Sequence, residues 1–269
     1  MKFVTCNLIG PGGFSNYHNY GLGNQLFLVA TVLSYSKENN LLPVFPDIKN
    51  KKYGNYVENI FNKLNTTEIA EEDIMCEYFE PSFSFSRIPI KKNIRINGYF
   101  QSEKYFVENR ELILNNFLPN NDYMNTLYKN YKSLIDESSS CHIRLGDYQV
   151  LEDFHINLQK TEYFNNAFQK VKSKKIVIFS DDIKNAKMLK FSTNKELIFL
   201  ETGSDIEDLY LMSLFKESII SNSTFSWWSA WLNVRENKKI IYPDRWFGVK
   251  NNYEIKDLIP PSWEKCLTN

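Results

Sequence analysis

The stretch His142-Ile143-Arg144-Leu145-Gly146-Asp147-Tyr148 sets an imidazole, a guanidinium and a carboxylate within seven residues. An Arg held at the end of a buried strand is suited to gripping a phosphate or carboxylate through two parallel N–H bonds. His142 could hydrogen-bond a base or hydroxyl, or accept a proton. A second cluster, Ser180-Asp181-Asp182, follows the apolar run 175–179. Its carboxylates could accept from a guanine edge, from ribose hydroxyls, or hold a cation. One Asp is expected to cap the next helix, leaving the other spare for a ligand. The third cluster, Asn222-Ser223-Thr224-Phe225, stands where a strand should turn into a helix, and hydroxyls with free N–H groups there form an anion site. Each cluster alone also reads as an ordinary ion pair or helix cap. Three of them at three strand ends imply one nucleotide-type crevice. Trp227, Trp228 and Trp231, three and four apart, read as core packing.

These clusters need a scaffold, and the second half of the chain supplies one. Strands are expected at 141–145, 175–179, 196–200, 218–221 and 239–242, alternating with helices at 161–171, 183–189, 205–214 and 224–234. Such alternation predicts α/β architecture with a doubly wound parallel sheet, whose ligands bind beyond the carboxyl ends of the strands. Ser138-Ser139-Ser140 reads as a junction, giving lobes of 1–137 and 138–269. The first lobe opens with a strand at 2–9 and a Gly-, Asn- and Tyr-rich loop. Gly21-Leu22-Gly23-Asn24-Gln25-Leu26-Phe27 then leads, as a turn, into a helix through 28–33 and a strand at 41–45. Its Gly-x-Gly lacks the third glycine of a dinucleotide fingerprint. Residues 48–93 carry little pattern. A strand at 94–100 and helices at 102–116 and 122–136 complete the lobe.

Lysine plus arginine balances aspartate plus glutamate at 32 each, which argues against a nucleic-acid partner. The 20 Phe and 16 Tyr read as packing, although aromatic faces also stack on sugars. Cys6, Cys76, Cys141 and Cys266 are widely spaced, as reduced core residues of a cytoplasmic protein would be. No apolar run reaches the ~20 residues that span a bilayer, and peripheral membrane association is left open. Sequons at Asn65 and Asn222 therefore carry little weight. Walker A, zinc and G-x-S-x-G signatures are missing, and Asp205-Ile206-Glu207 lies at an expected helix start rather than forming a D-x-D metal site.

Taken together, the motifs resemble the family-11 glycosyltransferases, the α-1,2-fucosyltransferases, nearly end to end. The likeness runs through Gly21 to Phe27, Gly98-Tyr99-Phe100-Gln101-Ser102-Glu103-Lys104-Tyr105-Phe106, His142 to Tyr148, Phe179 to Ile183, Asp208 to Ser213 and Ser221 to Leu232. It implies a GT-B-like fold of two Rossmann-like lobes. It also implies metal-independent, inverting transfer of L-fucose from GDP-β-L-fucose to a 2-hydroxyl, usually of galactose in a glycan acceptor, without a cofactor. By this resemblance Arg144 holds the diphosphate, while His142 and Asp181 or Asp182 recognise the guanosine. Ser223, Thr224 and Phe225 line the phosphate and base pocket, and Asn24 and Gln25 face the reacting sugar. Asp147 and His142 are the candidate bases. Many members carry a second Arg where this chain has Leu145, which implies weaker donor binding or a different nucleotide sugar. A transferase using another donor and a non-catalytic glycan- or nucleotide-binding protein remain as alternatives. A glycoside hydrolase is disfavoured, because adjacent Asp181 and Asp182 cannot flank one bond.

Overall fold

In the computed structural model, residues 2–8, 21–49, 56–149, 152–251 and 253–269 are described, without the side chains at 47, 49, 147 and 149. The glycine-rich loop at 10–13 and the segment near Tyr17 to Tyr20 lie outside them. The chain divides into two compact units. One is Met1–Pro119 with Glu254–Pro260, the other Asn120–Tyr253 with Pro261–Asn269.

The first unit is built on a parallel sheet of β1 (Phe3–Cys6), β2 (Leu42–Pro43), β3 (Cys76–Phe79) and β4 (Ile94–Asn97), ordered β2-β1-β4-β3. β1 is buried along its length, as an inner strand covered on both faces should be. Helix α1 (Leu22–Asn39) lies against it and is buried through most of its circumference, which explains its unbroken apolar run. The helix starts six residues earlier than its apolar density suggests, so Gly23, Asn24 and Gln25 occupy its first turn rather than a preceding loop. It ends where Asn40 adopts the left-handed conformation (φ 53°) that closes many helices. Helix α2 (Arg110–Phe117) follows two short 3-10 turns, where the sequence suggests one long helix over 102–116.

The second unit carries α3 (Asn121–Glu137), β5 (Ser138–Ile143), α4 (Tyr163–Lys170), β6 (Lys175–Ser180), α5 (Ile183–Ala186) and β7 (Glu196–Phe199). It continues with α6 (Asp205–Met212), β8 (Glu217–Ile219), α7 (Thr224–Leu232), β9 (Lys239–Pro243) and β10 (Glu264–Cys266). All six strands are parallel, ordered β10-β9-β8-β5-β6-β7. The expected α/β class with parallel sheets is therefore observed in both units.

The serine run is not a junction. Ser138, Ser139 and Ser140 are the buried first half of the central strand β5. Their placement is stabilised by specific partners: the Ser140 hydroxyl donates to Ser218 Oγ at 2.9 Å, and that of Ser139 to Glu217 Oε2 at 3.0 Å. The lobe limits of 1–137 and 138–269 shift accordingly. Helix α3 packs on β5 and α6 and belongs to the second unit, while Glu254–Pro260 returns to the first. All four cysteines are free thiols; Cys76, on an edge strand, is only partly buried rather than a core residue. Among the described residues, no helix is long and apolar enough to cross a membrane.

Candidate active site

The order β8-β5-β6 defines where a ligand can enter the second unit. From β5 the chain proceeds through β6 to β7 on one side, and β8 leads through β9 to β10 on the other. The segments leaving β5 and β8 therefore diverge, opening a crevice at this switch point. All three polar clusters follow these strands, and direct contacts join them.

His142, next to last in β5, is 4% exposed. Its Nδ1 shares a 2.8 Å hydrogen bond with Ser221 Oγ, and its ring centroid lies 5.5 Å from that of Phe225. Burial, reinforced by the neighbouring Arg144 charge, pushes its pKa down to about 3. The imidazole is thus neutral at physiological pH, suited to orienting a ligand through hydrogen bonds and poorly suited to taking up a proton.

Arg144 lies just beyond the strand. Its Nη1 pairs with Asp181 Oδ2 at 3.1 Å, and its guanidinium sits 5.5 Å from the centroid of the Tyr148 ring. Gln159 Nε2 donates to the Arg144 carbonyl at 2.6 Å, fixing the backbone as well. Asp181 Oδ1 also accepts the Leu145 N–H at 2.8 Å. One carboxylate thus braces both the guanidinium and the loop that carries it. A Cβ at Gly146 would come within 2.5 Å of Asp181 Oδ2, so glycine allows this close approach. Asp182 caps α5, accepting the Asn185 N–H at 3.0 Å and the Asn185 side-chain amide, which lowers its pKa. Both carboxylates therefore have protein partners, and the one expected to be spare is bound to Arg144.

The third cluster has two parts. Asn222 is 2% exposed, and its Nδ2 donates to the carbonyls of Ile156 (3.0 Å) and Trp246 (2.9 Å), while its own carbonyl accepts from Tyr148 Oη at 3.1 Å. It ties three loops together. Ser223 stands at the N-cap of α7, but its side chain does not cap the helix. The N–H groups of the first turn, beside partly exposed Thr224 and Phe225, are those the helix itself does not use. Trp227, Trp228 and Trp231 are fully buried or nearly so, as expected for core.

The backbone of Asp147 lies in the 3-10 turn Gly146–Gln149, and its side chain is outside the described set. Leu145 is 2% exposed and packs in the apolar cluster with Ile143, Leu158 and Tyr163. Asn24 and Gln25 sit in the first unit. The Asn24 Oδ1 accepts from Gln101 Nε2 at 3.0 Å, and Gln25 is buried.

Two participants were not singled out from the sequence. Tyr148 stacks on His155 at 4.1 Å and 6°, and Gln159 holds Arg144. Apart from these contacts, Asp208, in the first turn of α6, accepts from Thr202 Oγ1 at 2.8 Å, and burial pushes its pKa up to about 6. One clue to this burial was available: three and four residues on, Leu211 and Met212 are core residues, so Asp208 shares an apolar helix face.

A parallel α/β unit with a braced Arg at its switch point defines a nucleotide-type site class. Residues 16–263 match the model of glycosyl transferase family 11. The chain belongs to this family and is a fucosyltransferase-like glycosyltransferase. It is 29% identical to the O-antigen biosynthesis glycosyltransferase WbnK of Escherichia coli over 249 residues, covering 86% of this chain and 80% of that one. It is also 29% identical to an alpha-1,2-colitosyltransferase of Escherichia coli over 262 residues (93% and 85%). A galactoside 2-alpha-L-fucosyltransferase of Caenorhabditis elegans is 29% identical over 281 residues (92% and 77%).

Proposed function

We propose that the protein transfers L-fucose, with inversion and without a metal, from GDP-β-L-fucose to the 2-hydroxyl of a galactose-type unit in a glycan. The observation that carries this reading is Arg144, held just beyond β5 by Asp181, Tyr148 and Gln159. As GDP departs, the anomeric carbon becomes cationic and the diphosphate gains charge. The guanidinium and the first amides of α7 stabilise that charge, each well-placed donor contributing about 3 kcal/mol. His142, neutral and fixed by Ser221, serves the guanosine as a hydrogen-bonding group. Asp147 is assigned the late removal of the acceptor proton. The free thiols accord with a reducing, cytoplasmic setting.

A second reading keeps the same chemistry with a different sugar, since a colitosyltransferase is as similar as the fucosyltransferase. Transfer assays with EDTA present test both. The protein is offered GDP-fucose, GDP-colitose or a uridine-nucleotide sugar with a terminal galactoside, and the linkage of the product is determined. A 2-linked product from GDP-fucose supports the first reading, and turnover from GDP-colitose alone replaces it with the second. Turnover from uridine nucleotides only contradicts both.

A further inference from the structure

The first unit holds a carboxylate that the donor chemistry does not use. Glu80 directly follows the edge strand β3, and its N–H donates to the Asn97 carbonyl at 2.8 Å. Its side chain turns back over the end of β4. There Glu80 Oε2 accepts two consecutive backbone N–H groups, from Tyr99 at 2.8 Å and Phe100 at 2.9 Å. Oε1 accepts the Tyr105 hydroxyl at 3.2 Å.

The backbone held this way is one that few residues adopt. Gly98 has φ +152°, and a Cβ there would come within 2.4 Å of Glu80 Cβ. Phe100 is a fully buried aromatic at φ +50°. An aromatic side chain in the left-handed region persists only where its surroundings over-determine it. Paired N–H groups converging on an anion supply that constraint. The consequence is an alternation within the turn: Tyr99 is 40% exposed, Phe100 points into the core, and Gln101 is 7% exposed. Gln101 Nε2 then donates to Asn24 Oδ1 at 3.0 Å, which leaves the Asn24 amide presenting N–H donors.

We propose that Glu80 is a positioning residue for sugar binding, which through the Gly98–Ser102 turn and Gln101 fixes the amide of Asn24. The inference rests on the proposed GDP-sugar transfer, with Asn24 contacting the reacting sugar. The path itself is continuous: Glu80 holds the Tyr99 and Phe100 N–H groups, the backbone leads on to Gln101, and its amide reaches Asn24. Burial raises the Glu80 pKa, while the two backbone bonds and Tyr105 oppose that shift.

The test uses Glu80→Ala, Glu80→Gln, Gln101→Ala and the double alanine variant in the full chain. GDP affinity, melting temperature and acceptor kinetics are measured for each. Glu80→Ala and Gln101→Ala are each expected to lose on the order of 10- to 100-fold in kcat/KM for the acceptor, because remote misplacement of a contact group is costly. GDP affinity should stay unchanged. The double variant should lose no more than the worse single variant, since both act through one path. Glu80→Gln, whose amide oxygen can accept the same two N–H groups, should remain within a few-fold of the parent. Gln101→Ala with unchanged acceptor kinetics, or losses that multiply in the double variant, would overturn the proposal even if Glu80→Ala unfolds. A parent protein that binds no GDP would instead remove the donor reading on which it rests.

Discussion

Asp181 has its effect through Arg144: the same carboxylate that pairs with the guanidinium also holds the Leu145 N–H, so the charge and its backbone move together. His142 offers a second residue-scale consequence, visible in pH. Its pKa falls from 6.5 to about 3 on folding, so below pH 6.5 the unfolded chain takes up a proton that the folded chain refuses. Its contribution to stability is complete above pH 6.5 and is lost toward pH 3 at up to about 1.4 kcal/mol per pH unit. Asp208 runs the other way: raised from 3.8 to about 6, its cost is absent at low pH and appears as pH climbs through that interval. His142→Gln should therefore flatten the acid side of the stability profile, read from urea midpoints between pH 6.5 and 4. A profile parallel to the parent's would show that His142 is not held neutral. Leu145 sits in the core, so Leu145→Arg should not restore a donor contact; it should cost about 3–5 kcal/mol through an unpaired buried charge, measured by denaturant unfolding.

At the scale of elements, the site depends on loops fastened to one another. Asn222→Ala removes two bonds from the carbonyls of Ile156 and Trp246 and leaves both buried acceptors unmatched. The expected loss is about 1–3 kcal/mol, seen as a lower urea midpoint at unchanged slope. The strands of the second unit were legible because β6, β7 and β9 are apolar, β-branched runs bounded by polar residues. Ser138 to Ser140 were not, since serine usually marks loops; their burial depends on Ser218 and Glu217, far away in sequence. β3 was hidden because it is a short edge strand with alternate residues exposed, and β10 is only three residues long. The candidate clusters were legible from residue type and position. Their division of labour was not: Asp181 as a brace and Asn222 as a tie between loops depend on partners that only folding brings near.

The whole molecule joins two parallel α/β units, with His142, Arg144 and Asp181 in the second and Asn24, Gln101 and Glu80 in the first. The proposed role of Arg144 is to hold the diphosphate of a GDP-sugar. The most direct measurement is the GDP dissociation constant of the parent and of Arg144→Ala in EDTA, by calorimetry, with UDP as the comparison and melting temperatures as a check on folding. GDP should bind the parent well ahead of UDP, and the variant should melt normally yet lose about 2–3 kcal/mol of GDP affinity, the loss expected for a charge-assisted contact. Equal GDP binding by the two proteins, or a parent that prefers UDP, would contradict the account.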